Sequence, residues 1–122
     1  MVKKILSIRG KVESVEPGKI PKIYLYRIAS SKKDVEAAME IHEDLKIADD
    51  GDKVALEVFE GKPRRISEKD FVGRGYLLKV IRENEKVKYV FSIGGFIMTL
   101  LMKEEVHELK ADKEYYIRLQ KL

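Results

Sequence analysis

Tyr89 to Met102 reads YVFSIGGFIMTLLM. It is the most apolar stretch of a chain in which 38% of the residues are charged. On either side of Gly94-Gly95 the residues are mostly β-branched, aromatic or aliphatic. Such runs, bounded by glycine, read as strands. Val87 to Ile93 and Phe96 to Met102 are therefore two strands, or one strand sharply bent at the glycine pair. The stretch holds no His, Cys, Lys, Arg or carboxylate, so it carries no acid or base for chemistry at neutral pH. It reads as core, together with a docking surface, and not as an active site.

Working outward, short alternating segments and frequent turns dominate. Ile5 to Val15 alternates loosely and stops at Pro17-Gly18, a turn signal. Ile23 to Ile28 (IYLYRI) is β-branched and aromatic, which suits a strand. Val35, Ala37, Met39 and Ile41 alternate with Glu36, Ala38 and Glu40; the period of two favours a strand although Ala, Met and Glu also suit a helix. Asp49 to Asp52 marks a turn, and Val54, Leu56 and Val58 alternate with Ala55, Glu57 and Phe59. Gly61 to Asp70 is a polar loop. Phe71 to Ile81 is a long strand whose Gly73 and Gly75 predict a bulge or bend. Asn84-Glu85 supports a hairpin turn. Lys103 to Lys110 reads as a short helical turn or a loop, and Tyr115 to Leu119 as a last strand. About eight strands with little helix predict an all-β fold, a closed or nearly closed antiparallel barrel, because closure removes the unpaired edges.

The 122 residues suit a single domain spanning 1–122. A chain this long buries roughly two thirds of its unfolded surface and so sustains one core. There is no cysteine, which excludes disulfides and thiolate metal sites. No apolar run approaches the ~20 residues of a membrane span, and the N-terminus lacks a signal-peptide core; the expected location is cytoplasmic. Asn and Gln occur once each, as Asn84 and Gln120, a thinning of thermolabile residues found in hyperthermophile proteins.

The net charge of +4 hides a blocked distribution. Residues 1–33 hold nine Lys and Arg against two acids, and residues 34–60 hold two against ten. Residues 61–92 hold nine against four, and residues 93–122 balance. In an antiparallel sheet, blocks of opposite sign can lie side by side and pair. Alternatively they stay apart as patches that orient a protein partner.

No motif makes a catalytic centre. His42 sits beside Glu43 and Asp44 with no nucleophile in a recognisable setting. Glu104, His107 and Glu108 would share one face of a helix as weak metal candidates, but solvated residues explain them better. The glycines form neither phosphate-binding fingerprint. Asp49, Asp50 and Asp52 lack the distal Glu of a calcium loop. No metal or cofactor is expected. A nucleic-acid role rests on Tyr24 and Tyr26, which share one face of their strand near Lys22 and Arg27, the pattern of a stacking platform in a basic groove. Lys62, Arg64 and Arg65 lie in a loop that could reach a phosphate backbone. Both sets also fit a barrel wall and a solvated loop.

The segment YVFSIGGFIMTL and the ending YYIRLQKL resemble the C-terminal signature of the small RNA polymerase subunit common to the eukaryotic nuclear polymerases, the eighth in their series. The matching residues are Gly94, Gly95, Phe96, Ile97, Met98 and Leu100, then Tyr116, Ile117, Leu119, Lys121 and Leu122. Gly51-Asp52-Lys53 resembles that family's Gly-Asp-Lys turn, and Gly75-Tyr76 to Val80 one of its strands. At Gly61 to Asp70 the eukaryotic proteins carry a much longer loop; the short loop here is similar to the archaeal version, the polymerase's G subunit. The resemblance implies an eight-stranded barrel related to the oligonucleotide-binding fold. It implies a non-catalytic accessory component of a DNA-directed RNA polymerase, docked on the largest subunit, with no cofactor, no membrane, weak or indirect contact with nucleic acid and no need of a second copy. The docking candidates are Gly94, Gly95, Phe96 and Met98, with Lys62, Arg64 and Arg65. The competing expectation is a free-standing barrel that binds single-stranded nucleic acid through Tyr24, Tyr26, Lys22 and Arg27.

Overall fold

The computed structural model describes residues 2–122. Eight strands form in chain order: β1 (Lys3–Pro17), β2 (Ile23–Ser30), β3 (Val35–His42), β4 (Lys53–Glu60), β5 (Phe71–Glu83), β6 (Lys86–Ile93), β7 (Phe96–Met102) and β8 (Glu114–Lys121). The single helical piece among the described residues is a 3₁₀ turn, Glu43–Leu45. All neighbours pair antiparallel and the sheet closes in the order β1-β2-β3-β7-β6-β5-β8-β4. The result is an all-β barrel that fits an oligonucleotide-binding-like fold.

The order contains two Greek keys. β1-β2-β3 is a meander whose fourth strand, β4, returns beside β1; β5-β6-β7 is a second, whose fourth strand, β8, returns beside β5. The halves join through β3–β7 and β4–β8, so equivalent strands meet each other. The sequence shows no internal repeat; this one is topological.

Alternation puts one set of side chains inside. Val12, Tyr26, Met39, Leu56, Leu77, Tyr89, Phe91, Met98, Leu100, Tyr115, Ile117 and Leu119 are all buried. Val35–His42 is a strand, because Ala37, Met39 and Ile41 fill the barrel while Glu36 faces out. Gly94 and Gly95 have φ of +58° and +90° and link Ile93 to its directly paired partner Phe96. Positive φ at both central residues is the two-residue hairpin turn whose twist suits the flanking strands. The stretch is therefore two strands and not one bent strand. Asn84 and Glu85 make the equivalent turn between β5 and β6, with φ of +50° and +62°.

One local expectation is corrected. The bulge in β5 falls between Leu77 and Lys79, not at Gly73 or Gly75. Those glycines stay in register; a Cβ on Gly73 would collide with Ile93 Cγ2, and one on Gly75 would meet Ile117 Cδ1 at 2.5 Å. They leave room for core isoleucines instead of bending the strand. Between β7 and β8 the chain forms a loop with no helix. Inward tyrosines hold it. Tyr115 Oη donates to Glu108 O at 2.9 Å and accepts from Lys110 N at 2.8 Å, and Tyr89 Oη accepts from Val106 N at 2.8 Å. Tyr26 Oη donates likewise to Ala48 O, tying down the segment before β4. Buried hydroxyls need partners, and here loop backbone supplies them.

Candidate docking surface

β7 is apolar on both faces. Met98, Leu100 and Met102 fill the barrel, while Ile97, Thr99 and Leu101 look outward. Register extends this outer row sideways. Thr99 lies between Ala38 on β3 and Val90 on β6, and Ile97 lies opposite Ser92. Ala38, Val90, Ser92, Ile97, Thr99 and Leu101 thus form an uncharged window across three strands. It spans roughly 10 Å by 13 Å, from the usual strand spacing and rise. Charges frame it: Leu101 is flanked by Glu36 and Lys88. Glu40 stands at another corner, where its Oε1 accepts the Ile97 N–H at 2.7 Å. That bond replaces the ladder, which stops at the Met39–Met98 pair.

The opposite wall is built differently. On β4 even the outward positions Ala55, Glu57 and Phe59 are buried. Glu57 is 4% exposed and bonds both Arg118 (Nε to Oε1, 2.8 Å) and Lys4 (Nζ to Oε2, 2.7 Å). The same two cations lie over the Phe59 ring, Arg118 at 5.0 Å and Lys4 at 5.8 Å from its centre. The 61–70 loop is tied to this cluster by Arg118 Nη1, which donates to Arg65 O at 2.7 Å, and Pro63 of the loop is buried. Desolvation pushes the Glu57 carboxyl up, but the hydrogen bonds from Arg118 and Lys4 outweigh it and hold the group below its ordinary value.

The docking candidates from the sequence divide accordingly. Gly94 and Gly95 form an exposed hairpin tip with open space around them. Phe96 and Met98 share a face, as alternation requires, but that face is the inner one: Phe96 is half-buried at the barrel mouth and Met98 is fully buried. Met98 therefore offers no surface to a partner. Lys62, Arg64 and Arg65 are exposed but belong to the loop over Glu57 and Arg118. β7 and β4 stand opposite each other in the closed order, so one flat partner cannot cover both sets. The outer window of Ala38, Val90, Thr99 and Leu101 is missing from those candidates. Its signal was present: β7 is apolar in both phases of the strand period.

The stacking candidates fare similarly. Tyr24 and Tyr26 do share a face, and it too is the inner one. Tyr26 is fully buried. Tyr24 is half-buried with Lys46 Nζ 4.6 Å above its ring. Arg27 is paired to Glu16 through Nε and Oε2 at 2.6 Å, and Lys22 sits exposed in the turn before β2. These four do not build a platform. His42 Nδ1 accepts from Asp44 N and caps the 3₁₀ turn. Glu104, His107 and Glu108 lie on an irregular loop, and no cluster of potential metal ligands forms among the described residues. No helix there is long and apolar enough to cross a membrane.

No curated protein matches this chain significantly. Among solved structures, the cytoplasmic molybdate-binding protein ModG, crystallised with molybdate bound, aligns over 94% of this chain and 89% of its own length at 15% identity and a TM-score of 0.38. That likeness is too loose to bear on ligand or function. The family model for the G subunit of DNA-directed RNA polymerase matches residues 5–122, nearly the whole chain, and the protein belongs to that family.

Proposed function

We propose that this chain is a non-catalytic assembly subunit of an archaeal DNA-directed RNA polymerase, working in the cytoplasm and docked on the largest polymerase subunit. Nucleotidyl transfer belongs to the complex. One observation carries the docking: a chain with 38% charged residues keeps an uncharged window across β3, β7 and β6, framed by Glu36, Glu40 and Lys88. Interfaces are depleted of charge at their centre and polar at their rim, and opposed charges on a rim fix orientation. The Gly94-Gly95 tip extends from the same pair of strands, β6 and β7, and would sit at the border of the interface. The archaeal assignment draws on the scarcity of Asn and Gln and on the short 61–70 loop. A tagged copy, recovered from a cell extract of its source, is expected to bring the large polymerase subunits with it in stoichiometric amount. Recovery of the chain without them sinks the reading.

A further inference from the structure

Closure of the barrel leaves one stretch of strand unpaired. β5 runs to Glu83, but β8 pairs with it only from Phe71 to Tyr76. Leu77 is still held on that side: its N–H donates to Lys113 O at 3.0 Å and its carbonyl accepts from Asp112 N at 2.8 Å. Beyond it, β5 continues as a hairpin with β6 through Lys79–Val90, Ile81–Lys88 and Glu83–Lys86. The two-residue turn at Asn84-Glu85 fixes the parity of this ladder. Glu83, Ile81 and Lys79 exchange hydrogen bonds with β6, so the N–H and C=O groups of Val80 and Arg82 point the other way. Among the described residues those groups have no backbone partner.

An open edge is a template for another strand, and a lysine on it ordinarily repels one. This edge is complementary to itself. Its exposed outward row reads Lys79, Ile81, Glu83. Two copies related by a two-fold axis through Ile81 would run antiparallel, with Val80 opposite the second copy's Arg82 and Arg82 opposite its Val80. Each of those pairs then exchanges both of its main-chain hydrogen bonds. On the outer face Lys79 lies opposite Glu83 of the second copy and Glu83 opposite its Lys79, while the two Ile81 side chains meet. Opposite charges and aliphatic side chains facing each other across strands favour pairing. An axis one residue away, through Val80 or Arg82, would set Ile81 against Lys79 or Glu83 and lose these pairs. On the inner face Arg82 is already held by Glu105, Nε to Oε1 at 2.7 Å and Nη2 to Oε2 at 2.8 Å, so it brings no unpaired charge to the seam.

We infer that two copies of the chain join through this edge as a symmetric dimer, in a continuous sheet β6-β5-β5-β6. A two-fold contact needs one self-complementary patch, and the row Lys79, Ile81, Glu83 beside the free groups of Val80 and Arg82 supplies it. An edge this short buries far less than the roughly 1,200 Å² of a stable interface, so the dimer is weak and forms as the chain is concentrated. The inference does not require the docking reading. It concerns the chain by itself, and the edge lies on β5, on the far side of β6 from the outer window of β7.

The test is sedimentation equilibrium of the full-length chain from about 5 to about 500 µM. Wild type is expected to pass from monomer toward dimer in that range. Lys79→Glu turns both cross-strand ion pairs into carboxylate pairs, and Glu83→Lys turns both into ammonium pairs. Each variant is expected to weaken association about tenfold or more. Mixed in equal amounts, the two variants again present opposite charges to each other, and association is expected to return to within about threefold of wild type. Recovery in the mixture also shows that both variants are folded. Lys19→Glu changes net charge as Lys79→Glu does but lies exposed between β1 and β2, and it is expected to leave association unchanged. Amide hydrogen exchange gives a second readout. The Val80 and Arg82 amides are expected to slow as concentration rises, while that of Ile81, already bonded to β6, stays as it was. A chain that remains monomeric at about 500 µM would overturn the inference. So would a mixture that associates no better than its two components, equal weakening by Lys19→Glu, or a dimer in which the Val80 and Arg82 amides stay unprotected.

Discussion

Arg118 Nε donates to Glu57 Oε1 at 2.8 Å on the outside of the barrel, and both side chains are nearly buried there, 12% and 5% exposed. The pair sits under the 61–70 loop, against the Phe59 ring. A charged pair this dry is held by its geometry, and removing one partner leaves the other uncompensated. Glu57→Ala is expected to lower unfolding free energy by about 3 kcal/mol. Glu57→Gln, which keeps an acceptor for Arg118, is expected to lose less. Guanidinium unfolding midpoints check both. Equal stability of Glu57→Ala and wild type would show that the pair is incidental.

The same carboxyl sets a pH dependence. Its folded pKa lies below the ordinary value of 4.5. Its stabilisation is therefore complete above that value and is lost as pH falls through the lower, folded one. The carboxyls of Asp52, hydrogen-bonded to the Asp49 amide and near Lys121, and of Glu105, bonded to Arg82, are depressed too and act with the same sign. Unfolding midpoints are expected to be level from pH 7 to about pH 5 and to fall below that, with a shallower fall in Glu57→Gln.

The hairpin at Gly94-Gly95 needs positive φ at both residues. Asn-Gly is the best natural match for that turn. Gly94→Asn is therefore expected to leave the melting temperature nearly unchanged. Gly95→Val, β-branched at φ +90°, is expected to cost about 2 kcal/mol. Thermal melts separate the two; tolerance of valine would mean that the turn relaxes into another type.

Tyr115 anchors the loop between β7 and β8 through Glu108 O and Lys110 N. Tyr115→Phe keeps the ring inside and leaves those backbone groups without their partner. The expected cost is about 1–2 kcal/mol. Amide hydrogen exchange at Lys110 is expected to rise selectively, while exchange in β5 and β6 stays slow. A uniform rise would reveal general destabilisation instead of a released loop.

Docking through the outer window predicts a split between folding and assembly. Ala38→Arg with Thr99→Arg changes two half-buried outward positions. Stability is expected to hold within about 1 kcal/mol, as for other surface changes. Recovery of the large polymerase subunits is expected to drop tenfold or more, since charge at an interface centre is poorly tolerated. Neutralising Lys62, Arg64 and Arg65 together is expected to leave recovery within a factor of two. The reverse outcome would move the interface to the 61–70 loop.

The alternation of Val35 to Ile41 and of Val54 to Phe59, the turn at Gly94-Gly95 and the closing strand at Tyr115 to Leu119 were legible along the chain. Each depends on neighbours a few residues away, where steric preference and a period of two act directly. The β7 window was half legible: apolarity in both phases was visible, but which phase faces the barrel was not. Met98 as a docking residue and Tyr26 as a stacking platform failed for that one reason.

Sequence alone determined the element type, the family and the absence of cysteine chemistry, because these follow from residue identity and local order. Tertiary structure decided the rest. Which strands meet, β3 with β7 and β4 with β8, depends on closing a sheet between segments far apart in the chain, and no local preference encodes that register. Closure then set which side of each strand is dry. It placed the β5 bulge at Leu78, beyond the glycines that leave room for Ile93 and Ile117. It also set Lys11 against Lys53 instead of against an acid, so charges that could have cancelled became a surface feature.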